Sequence, residues 1–144
     1  MNIRAITAAE TRQLRQQVLR PNQRPEEQVY PHDDEPDTLH AGAFLDGKLV
    51  GIATVFPEPA PGGTDSRAWR LRGMAVLPDM QGRGIGRALL EFCVAHIRAQ
   101  AGNVLWCNGR TSARKFYESI GFAATGPEFD MPVSGPHFVF RRTI

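Results

Sequence analysis

At 144 residues the chain is long enough to bury a sizeable core but too short for two ordinary domains, so a single domain spanning residues 1–144 is expected. Hydrophobic residues make up 42% and charged residues 22%, near soluble averages, and no apolar run approaches the ~20 residues of a membrane span, so no membrane partner is expected. The net charge of +2 is too small to argue for a nucleic-acid partner. Only two cysteines occur, Cys93 and Cys107, both in apolar-patterned segments, which argues against a disulfide framework or a zinc site; no metal is expected. Met1 to Glu10 carries charge but no apolar stretch of the signal-peptide kind, so a cytoplasmic location is expected by default.

Ile3 to Ile6 reads as an opening strand. Thr7-Ala8-Ala9-Glu10 then matches a capping box, with Leu14, Val18 and Leu19 as the apolar face of a helix that Pro21 stops. Residues 21–38 are rich in proline and acid and read as an irregular loop with room for a short helical turn. Leu39 to Leu45 and Lys48 to Phe56 are strand-like and joined by Asp46-Gly47, a dipeptide suited to the positive φ angles of a tight hairpin. A broken segment, Pro57 to Asp65, leads into a strand from Arg67 to Leu77. From Ile85, apolar residues recur at helical spacing (Ile85, Leu89, Phe92, Cys93, Ile97), and Gly102 lies just past the end. Val104 to Cys107 reads as a short buried strand, and Thr111 or Ser112 as the cap of a helix running to Ile120 and ended by Gly121. Phe122 to Thr125 and His137 to Arg141 read as closing strands separated by a Pro/Gly-bearing loop.

Charge is unevenly placed. Glu26, Glu27, Asp33, Asp34, Glu35 and Asp37 form an acidic stretch, whereas residues 81–115 carry Arg83, Arg87, Arg98, Arg110, Arg114 and Lys115 against Glu91 alone. Within the basic stretch lies Gln81-Gly82-Arg83-Gly84-Ile85-Gly86, where a strand hands over to a helix. Three alternate glycines let successive backbone N–H groups close on one ligand, and the helix N-terminus adds its free donors and dipole: an anion cradle. A Walker loop would end in Gly-Lys-Ser/Thr, but Gly86 is followed by Arg87-Ala88. A dinucleotide fingerprint would need Gly or Ala at Arg87 or Leu89.

The ordered set Met74-Ala75-Val76-Leu77-Pro78-Asp79, Gln81-x-x-Gly84-x-Gly86 and Ala113-x-x-Phe116-Tyr117-x-x-x-Gly121-Phe122 resembles the GNAT superfamily of N-acetyltransferases. The resemblance implies an α/β (α+β) fold. Its mixed, mostly antiparallel central sheet would have about six to seven strands, splayed between the fourth and fifth to admit acetyl-CoA, and about four flanking helices. It also implies that the backbone of Met74, Ala75 and Val76 pairs with the pantetheine arm. The N–H groups of Gly82, Arg83, Gly84, Ile85, Gly86 and Arg87 would hold the pyrophosphate, with Gln81, Arg110, Ser112 and Lys115 as further cofactor contacts. Arg83 and Arg87 are suited to charge-assisted bonds to phosphate, and Arg114 and Lys115 either reach the 3′-phosphate or lie on the surface.

Family members commonly use a tyrosine at the position of Tyr117 as general acid. A phenol with a pKa near ~10 is protonated at neutral pH and can reprotonate a leaving thiolate. The structural alternative is a core aromatic beside Phe116, and of the two neighbours Phe116 suits the core better. The fourth strand lacks the carboxylate many members carry. His137, ahead of His40, is the candidate base, against the ordinary role of a hydrogen-bonded structural histidine. Arg110 stands where many members have Asn, with Asn108 two places off. Arg70 and Arg72 share a strand face that either borders the acceptor site, favouring a carboxylate-bearing acceptor, or meets solvent; the acidic stretch would favour a polyamine or lysine. The expected activity is acetyl transfer to a primary amine of a small molecule, amino acid or peptide by direct attack, and because the family often pairs subunits the resemblance leaves room for a homodimer. The rival readings are a non-catalytic CoA-binding module and a nucleotide-binding protein.

Overall fold

The computed structural model describes all residues, 1–144. In chain order the elements are β1 (Asn2–Ile6), α1 (Ala8–Leu14), β2 (Leu39–Leu45), β3 (Lys48–Pro57), β4 (Ala68–Val76), α2 (Ile85–Ala99), β5 (Val104–Arg110), α3 (Arg114–Ser119), β6 (Ala123–Met131) and β7 (Gly135–Thr143). The seven strands form one sheet in the order β1-β2-β3-β4-β5-β7-β6, and β4–β5 is its parallel pair. The mixed, mostly antiparallel sheet matches the expected fold class. Three α-helices form rather than about four. A π-helical turn, Arg15–Leu19, continues α1, and Pro21, Pro25, Pro31 and Pro36 leave residues 20–38 only a 3₁₀ turn at Pro25–Glu27.

Local chemistry sets the first elements. Thr7 Oγ1 accepts from the Glu10 N–H at 3.2 Å and Glu10 Oε1 from the Thr7 N–H at 2.9 Å, the reciprocal capping box. Asp46 and Gly47 both have positive φ, 50° and 77°, and close the β2–β3 hairpin. β3 is buried on both faces. A Cβ on Gly51 would meet Leu89 and Ile85 of α2, whereas Thr54, of opposite parity, faces Arg15 on the other side. Leu89, Leu90, Cys93, Val94 and Ile97 of α2 are all fully buried there.

At the chain's end the structure departs from expectation. The Pro/Gly segment forms no loop: Gly126-Pro127-Glu128 is an irregularity inside a longer β6, between Thr125 and Phe129, and the hairpin turns instead at residues 132–134. Neither Thr111 nor Ser112 caps α3. A 3₁₀ turn over Thr111–Ala113 precedes the helix, and the Thr111 hydroxyl donates to Glu128 Oε2 at 2.7 Å.

A gap opens in the middle of the sheet. β4 and β5 pair only where Ala68–Arg70 faces Val104–Trp106; beyond that β5 stays with β7 along its whole length, from Val104↔Thr143 to Arg110↔His137. β4 meanwhile bulges: Gly73 and Met74 together oppose Ala53, and Gly73 has φ +63°, which glycine adopts without strain.

One side of the gap is strapped by a buried ion pair. Arg15, 0% exposed, donates to both Asp33 oxygens at 2.6 and 3.0 Å, to the Gln28 carbonyl at 3.1 Å and to Thr54 Oγ1 at 3.1 Å. Burial alone would raise the Asp33 carboxyl, but the bonds from Arg15 and the Tyr30 N–H outweigh it and hold it below the usual carboxylate range. His40 belongs to the same network: Nε2 donates to the Asp33 carbonyl, and Nδ1 lies 2.9 Å from the Thr54 hydroxyl. With both nitrogens engaged in the core, His40 is structural rather than a base.

Candidate active site

Two cavities adjoin at the gap, sharing Leu19, Met74, Arg110 and Ala113 in their linings. The larger, about 690 Å³, runs from β4 past the glycine loop to α3. The smaller, about 300 Å³, lies between β4, β5, the start of β7 and the segment after α1.

The larger cavity is bordered by the glycine loop and the start of α2. Gly82 and Gly84 sit at φ +79° and +81°, and a Cβ on either would point into open space. Gly84 ends the loop in the left-handed conformation, and the first helical bond is the Ala88 N–H to the Gly84 carbonyl, 3.0 Å. The N–H groups from Gly82 to Arg87 therefore have no partner within the protein. Six free donors on one short segment and the N-terminal dipole of a 15-residue helix suit a polyanion. Met74, Ala75 and Val76 line the same groove, as do Gln81, Gly82, Gly84, Ile85, Gly86, Arg87 and Arg110. Gln81 also donates to the Val76 carbonyl at 3.2 Å, tying the loop to β4, and Arg87 donates to the Ser119 carbonyl at 2.6 Å, bridging α2 to α3. Arg83, Ser112 and Lys115 are exposed and outside the lining. Arg114 pairs with Glu118 at 3.4 Å.

The smaller cavity is walled by side chains. Tyr117 lies in it, its ring stacked on Phe140 at 4.5 Å between centroids. Gly109 makes this possible, because a Cβ there would come within 2.5 Å of the Tyr117 ring and 2.8 Å of Phe140. The orientation reverses the sequence expectation: Tyr117 is the inward aromatic, while Phe116 is 42% exposed and borders the larger groove. Burial, with the Cys107 thiol beside the hydroxyl, pushes the Tyr117 pKa well above its ordinary value. Burial likewise lifts the Cys107 thiol to about 12.

His137, 6% exposed, lines the same cavity, and its Nδ1 is 2.8 Å from the Gly135 carbonyl. Since a carbonyl only accepts, Nδ1 carries the proton and Nε2 presents a lone pair without a protein partner. Asn108 went unassigned in the sequence because it is two places off the family register. Asn108 lines the cavity, and its Oδ1 is buried without a protein partner. Arg70 and Arg72 both line this cavity rather than meeting bulk solvent. Elsewhere no three His, Cys, Asp or Glu side chains converge as a metal site would require, and no helix is long and apolar enough to cross a membrane.

Residues 4–122 match the acetyltransferase (GNAT) family. The chain belongs to that family, as an acyltransferase that uses an acyl-CoA donor for N-acetylation. It is 31% identical over 144 residues to the uncharacterized N-acetyltransferase YitI of Bacillus subtilis (strain 168), covering 100% of this chain and 97% of that protein. Over 94 residues it is 34% identical to the N-alpha-acetyltransferase RimI of Mycobacterium tuberculosis, covering 63% of this chain and 56% of that protein. An aminoglycoside 6'-N-acetyltransferase complexed with coenzyme A shares the fold, with a TM-score of 0.73 at 16% identity over 99% of this chain and 97% of that one. The larger groove fits coenzyme A on its own chemistry: the glycine loop offers six free N–H donors to a pyrophosphate, and the groove leads from there along β4 to the cavity holding Tyr117.

Proposed function

We propose that the protein moves the acetyl group of acetyl-CoA to the primary amine of a small molecule, amino acid or peptide by direct attack, with Tyr117 as general acid and His137 as base. The supporting observation is that Tyr117 lines the cavity adjoining the glycine-loop groove, the two sharing Leu19, Met74, Arg110 and Ala113. Acetyl-CoA supplies an acyl group already activated as a thioester. The residues from Gly82 to Arg87 hold its pyrophosphate, and a β4 backbone N–H near Met74 to Val76 stabilises charge developing on the carbonyl oxygen. His137 Nε2 takes a proton from the attacking amine. As the carbon–sulfur bond breaks, the proton goes to the departing thiolate from Tyr117, which its environment keeps protonated. A covalent acetyl-cysteine route is disfavoured, because a Cys107 thiol at about 12 is almost wholly protonated at neutral pH.

The whole chain is read as one N-acetyltransferase domain. Its two free buried cysteines accord with a reducing compartment, and the cytoplasm is the location proposed. The test is thiol release from acetyl-CoA across a panel of amines. Release that depends on an added amine supports the proposal, whereas CoA binding with no amine-dependent release would favour the non-catalytic module.

A further inference from the structure

The acceptor cavity has a one-sided charge. Arg20, Arg70, Arg72 and Arg110 line it, and no Asp or Glu does. Of the four, only Arg70 has a carboxylate partner, Glu58 at 3.1 Å. Arg72 is half-buried and stacks on the Tyr30 ring, its guanidinium carbon 4.6 Å from the centroid. The other cation on that ring is Arg15 at 4.0 Å, already consumed by Asp33. No protein atom accepts from the N–H groups of Arg72, which lies over the Tyr30 ring and is flanked by Arg70, Arg20 and Arg15. Burial and those three cations lower its pKa, as expected of a guanidinium without a counter-ion.

The acidic stretch does not supply one. Asp33 is spent on Arg15, Glu26 and Glu27 on Arg24, and Glu35 on His32; Asp34 and Asp37 are exposed and outside the cavity. A polyamine would therefore enter a cavity of like charge, which costs several kcal/mol for close pairs.

We propose that the acceptor is a small amine carrying a carboxylate, an amino acid in chemical class, whose carboxylate is held by Arg72 while its amine reaches His137 and Tyr117. A planar fork with its donors free matches a carboxylate in bidentate geometry. The cavity, about 300 Å³, is at the small end of ligand sites and suits a molecule of that size. Arg20, exposed at the rim, would steer anions inward.

The inference rests on the acetyl-transfer reading, so its test has one arm that needs no turnover. In the first arm, amino acids, the corresponding amino-acid amides, and polyamines are compared as acceptors by thiol release. The expected result is a preference for acid over amide of about tenfold or more in kcat/KM, carried by KM. Arg72→Gln should bring the two near parity, and Arg72→Lys should restore part of the gap. In the second arm, N-acetyl amino acids and their amides are titrated calorimetrically into the CoA complex, where the acids should bind about tenfold tighter than the amides, and less so to Arg72→Gln. Amides or polyamines used better than acids would overturn the inference and leave acetyl transfer standing. So would acids and amides binding alike, or an undiminished acid preference in Arg72→Gln. A protein that binds neither CoA nor any acceptor would take down both readings.

Discussion

The two sides of the β4–β5 gap are built from different materials. On the glycine-loop side a ligand meets main chain: six free N–H groups on one short segment, with Arg83 exposed and outside the cavity lining. On the other side it meets side chains, brought to one place from β4, β5, α3, β7 and the proline-rich segment after α1. A main-chain site is specified by the conformation of one loop and tolerates changes of side chain. A side-chain site depends on several distant elements arriving together, and each contributing residue matters separately.

This contrast can be tested from several directions. The largest effect is expected at Gly84, where φ is +81° and the absent Cβ leaves the cradle open. Gly84→Glu adds backbone strain and a like charge beside the phosphates, and CoA affinity by calorimetry should fall on the order of 100-fold or beyond detection. Affinity retained in that variant would sink the cradle assignment.

Next is the strap that holds the segment 20–38 against the acceptor side. Arg15→Met leaves the Asp33 carboxylate buried without its counter-ion, with only the Tyr30 N–H still donating to it, and should cost about 3–5 kcal/mol in urea unfolding at pH 7. Because the fold holds the Asp33 carboxyl low, its stabilising contribution is complete above the unfolded aspartate pKa of ~3.9 and is lost as pH falls through the folded value. The deficit of the variant should therefore shrink in strong acid; a deficit independent of pH would contradict the ion-pair account.

Within the acceptor wall, His137→Gln should lower kcat about 100-fold with CoA affinity unchanged, since the lone pair at Nε2 is removed from the side of the gap away from the phosphates. An unaltered kcat would remove His137 from the reaction. The smallest effect is expected at Arg83, an exposed side chain on the main-chain side. Arg83→Ala should weaken CoA binding only about two- to fivefold, and less as salt is raised. A loss comparable to that of Gly84→Glu would mean that side chains govern both walls.

How much of this was legible in the sequence follows the same division. The capping box at Thr7, the Asp46-Gly47 hairpin and the glycine loop are local backbone matters, fixed by residue types within a few positions of one another, and each forms where the sequence places it. The acceptor wall was only partly visible. Phe116 and Tyr117 are neighbours on a six-residue helix, and which of them points inward is decided by Gly109 and Phe140, on two other strands. Arg15 reads as one more polar helix residue until Asp33 and Thr54 close on it. Asn108 carries no local signal beyond its distance from the family register. Gly126-Pro127 punctuates the sequence as a strand end would, yet pairing of β6 with β7 resumes at Phe129 and absorbs the irregularity.

Tyr117 is proposed to deliver a proton in a gap whose two walls act separately. The direct measurement is kcat and CoA affinity of Tyr117→Phe side by side, on an acceptor that the wild-type protein acetylates. The expected result is a fall in kcat of about 10²- to 10⁴-fold with CoA affinity within twofold of wild type. Unchanged turnover, or a loss that lies entirely in CoA binding, would contradict it.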